Sequence, residues 1–182
     1  MTIRTSLVLM SLLLLVGCSS YDVSTDFNPE TNFQSYRTFA VKKDAKIPGD
    51  VLQENNFTRD RVYAAIESAM IARGFTIAED GQSDLVILAY AGVKDKVNLS
   101  TYGYSTGPYW GGPYYGGAYS TQTVVTHYNE GTLHIDILDA KEKALVWKGQ
   151  GTGVVEKSRS PKEREEMVNE AVGEILAEFP PH

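Results

Sequence analysis

Hydrophobic and polar positions along this chain follow two periods, and the switches between them mark its elements. NFQSYRTFAV, Asn32 to Val41, is dense in aromatic and β-branched residues and predicts a strand. The polar stretch KKDAKIPGD ends it. From Phe57 to Phe75 the period lengthens. Val62, Ala65, Ile66 and Ala69 recur at i, i+3, i+4 and i+7, which is one apolar face of a helix. Gly74 stands where a residue just past the helix end takes the left-handed conformation, with Phe75 placed to pack back on the last turn. SDLVILAYAGVKDKV, Ser83 to Val97, opens as a continuous apolar run and then alternates. That predicts a strand buried on both faces at its start and emerging into solvent.

After a Gly/Tyr-rich stretch, TQTVVTHY (Thr121 to Tyr128) resumes strand composition, and NEG (Asn129 to Gly131) reads as a short hairpin loop. TLHIDILDA then alternates cleanly, with Leu133, Ile135 and Ile137 on one face and His134 and Asp136 on the other. KEK turns the chain into a last strand, Ala144 to Glu156, where Gly149, Gly151 and Gly153 predict a bulge or a close backbone approach. SPKE, Ser160 to Glu163, combines an N-cap serine, a proline at the first helical position and a glutamate two further on. The helix it starts carries an apolar stripe through Met167, Val168, Ala171, Val172, Ile175 and Phe179, and Pro180 and Pro181 stop it.

The order β-α-β-(long loop)-β-β-β-α defines an α+β fold. Its expected form is two layers, a mostly antiparallel sheet of about five strands with two helices on one face. The long loop, 102–119, is YGYSTGPYWGGPYYGGAY. Its rings, Tyr102, Tyr104, Tyr109, Trp110, Tyr114, Tyr115 and Tyr119, sit among glycines that make ordering costly. Loops this long are usually either functional or disordered, and aromatic side chains are common interface anchors. These residues are therefore a possible binding surface, and a flexible surface loop is the plainer alternative.

Composition narrows the function classes. With 182 residues, 42% apolar and 22% charged, the chain suits one globular domain, and a net charge of −6 argues against a nucleic-acid partner. The N-terminus is a separate object. Arg4 precedes SLVLMSLLLLVG, an apolar run shorter than the roughly 20 residues of a membrane span and typical of a secretory leader. It ends in Leu15, Val16, Gly17 and Cys18, the single cysteine of the chain. This LVGC stretch resembles the bacterial lipobox.

The resemblance implies cleavage between Gly17 and Cys18, with S-diacylglycerol and N-acyl modification of Cys18. Several chains hold firmly where one holds marginally. Ser19 after the cysteine, where aspartate would resemble an inner-membrane retention signal, implies the outer membrane, facing the periplasm of a Gram-negative envelope. The expected division is a leader over 1–17, a lipidated tether over 18–31 and a single domain over 32–182.

Chemistry is sparse. There is no G-x-S-x-G nucleophile elbow and no phosphate loop. His134 and Asp136 share a strand face and are the candidate acid/base pair, although an alternating strand ordinarily exposes such residues to solvent. With NEG as a three-residue loop, His127 and His134 fall on opposite faces, so no shared metal site is expected. No catalytic residue, metal ligand or cofactor is assigned.

Several segments resemble one family: YDVSTDF, FQSYRTFAV, ARGF with SDLVILAY, YNEGTLHIDILDAKEKALVWKGQGTG, and AVGEILAEFPP. They are similar to bacterial lipoproteins carrying the domain of unknown function 4136. The resemblance implies an envelope lipoprotein domain without assigned activity. The expected function is a lipid-anchored, non-catalytic binding or structural module, attached to the membrane by its lipid and contacting an envelope protein or glycan. The alternative is an envelope enzyme with a site near His134 and Asp136.

Overall fold

The structure is a computed structural model that describes residues 21–78, 82–105, 119–155 and 158–181, with the side chains of 98–105 and 119–124 left out. One mixed sheet of six strands carries the fold: β1 (Asp22–Phe27), β2 (Thr38–Val41), β3 (Thr76–Ile77), β4 (Leu85–Ser105), β5 (Tyr119–Asp139) and β6 (Leu145–Val155). Their order across the sheet is β1-β6-β5-β4-β2-β3. β1, β6, β5 and β4 pair antiparallel, whereas β2 runs parallel to both β4 and β3. The helices are α1 (Asn56–Ala72) and α2 (Pro161–Ile175).

The helix signals hold. Ser160 and Glu163 form the reciprocal capping box, with Pro161 at the first position. α1 starts at Asn55, whose side chain accepts from the Thr58 amide. Its end is a Schellman motif: Gly74 has a φ of +89°, in the left-handed region, its amide donates to the Ile71 carbonyl, and the Phe75 amide donates to the Met70 carbonyl at 3.2 Å. Phe75 is buried, as its place in that motif requires.

The sheet departs from expectation in four ways. It has six strands rather than five, because the segment taken as tether contributes β1, β3 adds a two-residue edge, and two expected strands merge into β5. Only Thr38–Val41 of the first expected strand is extended, since Phe33–Ser35 forms a 3-10 turn. NEG is not a loop: Asn129, Glu130 and Gly131 lie inside β5, paired with β4 on one side and β6 on the other. Gly131 is there for space, since a Cβ would lie 2.6 Å from Val155 Cγ2. Finally, the Gly/Tyr stretch is shorter than expected, because 102–105 and Tyr119 belong to β4 and β5.

The core lies between the helices and one sheet face. Leu85, Ile87, Ala89, Ile135, Ile137 and Trp147 meet Val62, Ile66, Met70, Val168, Val172 and Ile175. Val86 and Leu88, expected to be buried too, are half-exposed because no helix among the described residues covers the other face. Phe179 is the aromatic hub, with its ring centroid 5.4 Å from Trp147, 5.7 Å from Phe75 and 5.9 Å from Phe33. The β6 glycines mark close approach. A Cβ on Gly149 would lie 2.4 Å from the Trp147 ring, and one on Gly151 would lie 2.8 Å from Ile175. The register of β5 against β6 shifts elsewhere, between Ile137 and Leu138.

Candidate functional site

The uncovered face of the sheet is where polar chemistry collects. Strand parity sends Leu133, Ile135 and Ile137 into the core and sends His134 and Asp136 the other way. Register then extends the row across four strands. Tyr90 of β4 opposes His134, Gln150 of β6 opposes His134 from the other side, and Ser24 of β1 opposes Gln150. One residue pair along, Lys148 opposes Asp136 and Asp26 opposes Lys148. These side chains border an open depression of about 510 Å³.

The cluster is internally ordered. The Tyr90 ring lies flat on the His134 imidazole, with centroids 4.7 Å apart and planes 11° from parallel. The Tyr90 hydroxyl donates to the Asp136 carboxylate. Burial raises the Asp136 carboxyl above its ordinary range, while the Tyr90 bond and the charges of His134 and Lys148 oppose the rise. Burial and the nearby Asp136 charge raise the Tyr90 phenol. Lys148 reaches Asp26 at 3.4 Å, with both side chains well exposed. The face thus offers an aromatic surface beside alternating donors and acceptors, which suits hydrogen bonding to a polar ligand.

Ser24, His134 and Asp136 share this face, yet they do not form a nucleophilic triad. Gln150 stands between Ser24 and His134, so their strands are two spacings of about 4.8 Å apart. Asp136 is bonded to Tyr90 rather than aimed along a line from His134 to Ser24. His127 and His134 do fall on opposite faces. The reason is their odd separation along one continuous strand, not the loop that was expected. Among the described residues, no group of three or more His, Cys, Asp or Glu is placed to hold a metal ion.

Other carboxylates have structural work. Asp84 accepts from the Arg37 and Thr38 amides and the Thr38 hydroxyl, bonds that lower its pKa. Asp139 accepts from the Lys141 and Glu142 amides and from Tyr36, whose phenol is pushed up to about 12, first by burial.

Of the residues singled out in the sequence, His134 and Asp136 come together with partners that sequence reasoning did not name: Tyr90, Lys148, Gln150 and Asp26. Tyr90 was legible in principle, because it faces His134 once β4 and β5 are taken as adjacent. Asp26 was not, because β1 was not recognised. Tyr102, Tyr104 and Tyr119 lie in the β4–β5 hairpin, with Tyr102 opposite Gln122, Tyr104 opposite Ser120 and Tyr119 opposite Ser105. Tyr109, Trp110, Tyr114 and Tyr115 lie outside the described residues, as do Leu15, Val16, Gly17 and Cys18. Among the described residues, no helix is long and apolar enough to cross a membrane.

A two-layer α+β domain, with one sheet face that no described helix covers and a long two-stranded hairpin, is the class of protein that this geometry defines. The profile described as "Domain of unknown function (DUF4136)" matches residues 23–181, and the chain belongs to that family. No curated protein matches the chain. Among solved structures, it is similar to a PDZ domain protein from Parabacteroides distasonis ATCC 8503, with a TM-score of 0.56 and 14% identity. That likeness covers 88% of this chain but only 35% of the other, and it concerns the fold alone. Two PelC dodecamer structures from Paraburkholderia phytofirmans align over 86% of this chain and 95% of theirs, at TM-scores of 0.42 and identities of 11% and 12%.

Proposed function

We propose that this chain is a lipid-anchored envelope protein whose domain binds a polar envelope ligand, a glycan or a protein, without turning it over. The observation that carries the reading is the position of the lipobox cysteine. Only Ser19, Ser20 and Tyr21 separate Cys18 from β1, so a lipid there would hold the sheet within about 14 Å of its attachment point. In this reading residues 1–17 are removed, Cys18 carries the acyl chains, and the protein faces the periplasm from the outer membrane. The bare sheet face and the aromatic hairpin tip are the contact surfaces.

Metabolic labelling with an alkyne fatty acid, together with the intact mass of the membrane-extracted protein, tests the anchor. The expected result is a mature chain starting at a triacylated Cys18, with label and processing both lost in Cys18→Ala. An unlabelled chain retaining residues 1–17 would sink the reading. A photoreactive residue replacing Tyr109 or Tyr114 tests the contact surface, and capture of an envelope glycan or protein is expected.

A second reading is an enzyme that uses the Tyr90–His134–Asp136 cluster. What favours it is a carboxyl whose pKa is raised beside an imidazole, a usual arrangement for acid/base chemistry. Turnover of an envelope substrate that His134→Ala abolishes, in a protein that still folds, would replace the first reading with this one.

A further inference from the structure

An apolar groove lies on the helix-covered side of the sheet, well away from the His134 cluster. It has a volume of about 590 Å³ and opens between the first turns of α1 and α2, the middle of β4 and β5, and the end of β6. Leu52, Val62, Leu133, Met167, Val168 and Ala171 line it. Its size falls within the roughly 300–1,000 Å³ of sites that hold small ligands.

Tyr21 stands at the mouth of this groove and is fixed there twice. Its hydroxyl donates to the Met167 carbonyl at 3.1 Å. Its ring lies directly on Gly153, where a Cβ would come within 2.7 Å of it. The chain upstream therefore leaves the domain at the groove. Ser19 and Ser20 alone separate Tyr21 from Cys18, a reach of at most about 11 Å.

We propose that one acyl chain of lipidated Cys18 folds back into this groove. The inference rests on the lipidation proposed above and adds where one chain goes. The proximity of Cys18 to a lining residue selects this occupant: a lipid on Cys18 begins within about 11 Å of Tyr21, whereas any other ligand must diffuse there. The lining is mostly apolar, as an acyl chain requires, with Glu54, Asn55, Arg61 and Arg164 among its charged and polar members. Asn55 and Arg61 on the lining offer donors to the ester and amide carbonyls of a diacylglyceryl, N-acylated cysteine. The other two chains remain for the bilayer, and two are enough for stable anchoring.

The test uses the full mature protein, extracted from membranes in detergent, with a photoreactive phenylalanine analogue at position 167. Intact mass first reports the lipid on Cys18. Irradiation, digestion and mass spectrometry should then find the peptide containing position 167 joined to the lipid of the N-terminal peptide. Ala171→Trp, which fills the groove, should abolish that link while thermal unfolding stays cooperative. The same probe at position 133 serves if the 167 variant does not fold, and Leu133→Trp serves if Ala171→Trp does not. A lipidated protein whose probe captures detergent, phospholipid, a second copy or nothing overturns the inference and leaves the anchor standing. A chain without lipid on Cys18 overturns both.

Discussion

The two faces of one sheet differ more than any two separate elements of this molecule. On one, Ile135, Ile137 and Trp147 are essentially sealed from water under two helices. On the other, their strand neighbours His134, Asp136 and Lys148 line an open depression. A displacement of a single residue along β5 or β6 moves a side chain from one environment to the other. The covered face is held by volume, and β6 supplies it with glycines where Trp147 and Ile175 press on the backbone. The bare face is held by a few polar contacts, and mutation there should leave the fold standing. Stability and the proposed ligand contact thereby fall on alternate residues of the same strands.

The strongest way to break the comparison is Trp147→Ala. It should cost about 3–5 kcal/mol by urea unfolding, because a large buried side chain leaves a cavity. A cost below that of a surface substitution would mean the covered face does not carry the fold. Next comes Gly149→Ala, expected to lose about 1–3 kcal/mol through overpacking against Trp147 and Ile175. Its control is Gly173→Ala, inside α2 with nothing within 4 Å of an added Cβ, which should gain up to about 1 kcal/mol.

The smallest effect separates two carboxylates by the sign of their pH dependence. Burial raises the folded-state pKa of Asp136, so its protonated form favours folding. That stability is present below the unfolded value of about 3.9 and is lost as pH rises through the folded pKa. Asp136→Asn should therefore raise the urea midpoint at neutral pH and lose that gain in acid. Asp84 is lowered by its amide bonds, so its contribution is present above about 3.9 and lost as pH falls through the folded value. Asp84→Asn should lower the midpoint at neutral pH and flatten the acid limb. Same-direction shifts in the two variants would contradict the assignment.

Much of this was legible from local pattern. The period along the sequence of β5 is enough to place Leu133, Ile135 and Ile137 opposite His134 and Asp136, because a half-covered sheet enforces alternation. Each helix was marked by one cap that forms as expected, Gly74 after α1 and Ser160 before α2. Local pattern failed where long-range pairing outvoted it. Asn129, Glu130 and Gly131 have turn composition, yet neighbours on both sides hold them extended. β1 gave little signal because an edge strand half-buries only alternate residues, Val23 and Thr25, and exposes the rest. The site inherited that gap: without β1 and the β4–β5 register, His134 and Asp136 could not be given Tyr90, Lys148 and Asp26 as company.

The length of the β4–β5 hairpin constrains how such a molecule can stand. Asp22 aligns with Thr152 and, through β5, with Gly92, so the N-terminus leaves the sheet on the side from which the hairpin projects. Beyond Gly92, β4 runs to Ser105, about 43 Å of extended chain. On the proposed anchoring, the leash from Cys18 to Asp22 is about 14 Å at most. A projection longer than the leash beside it cannot point straight at the membrane. The domain would have to recline, with its hairpin lying along the bilayer surface. Rotation about the anchor would then sweep the Ser105–Tyr119 end of the hairpin through a shallow disc, and a search for a partner from there would be two-dimensional.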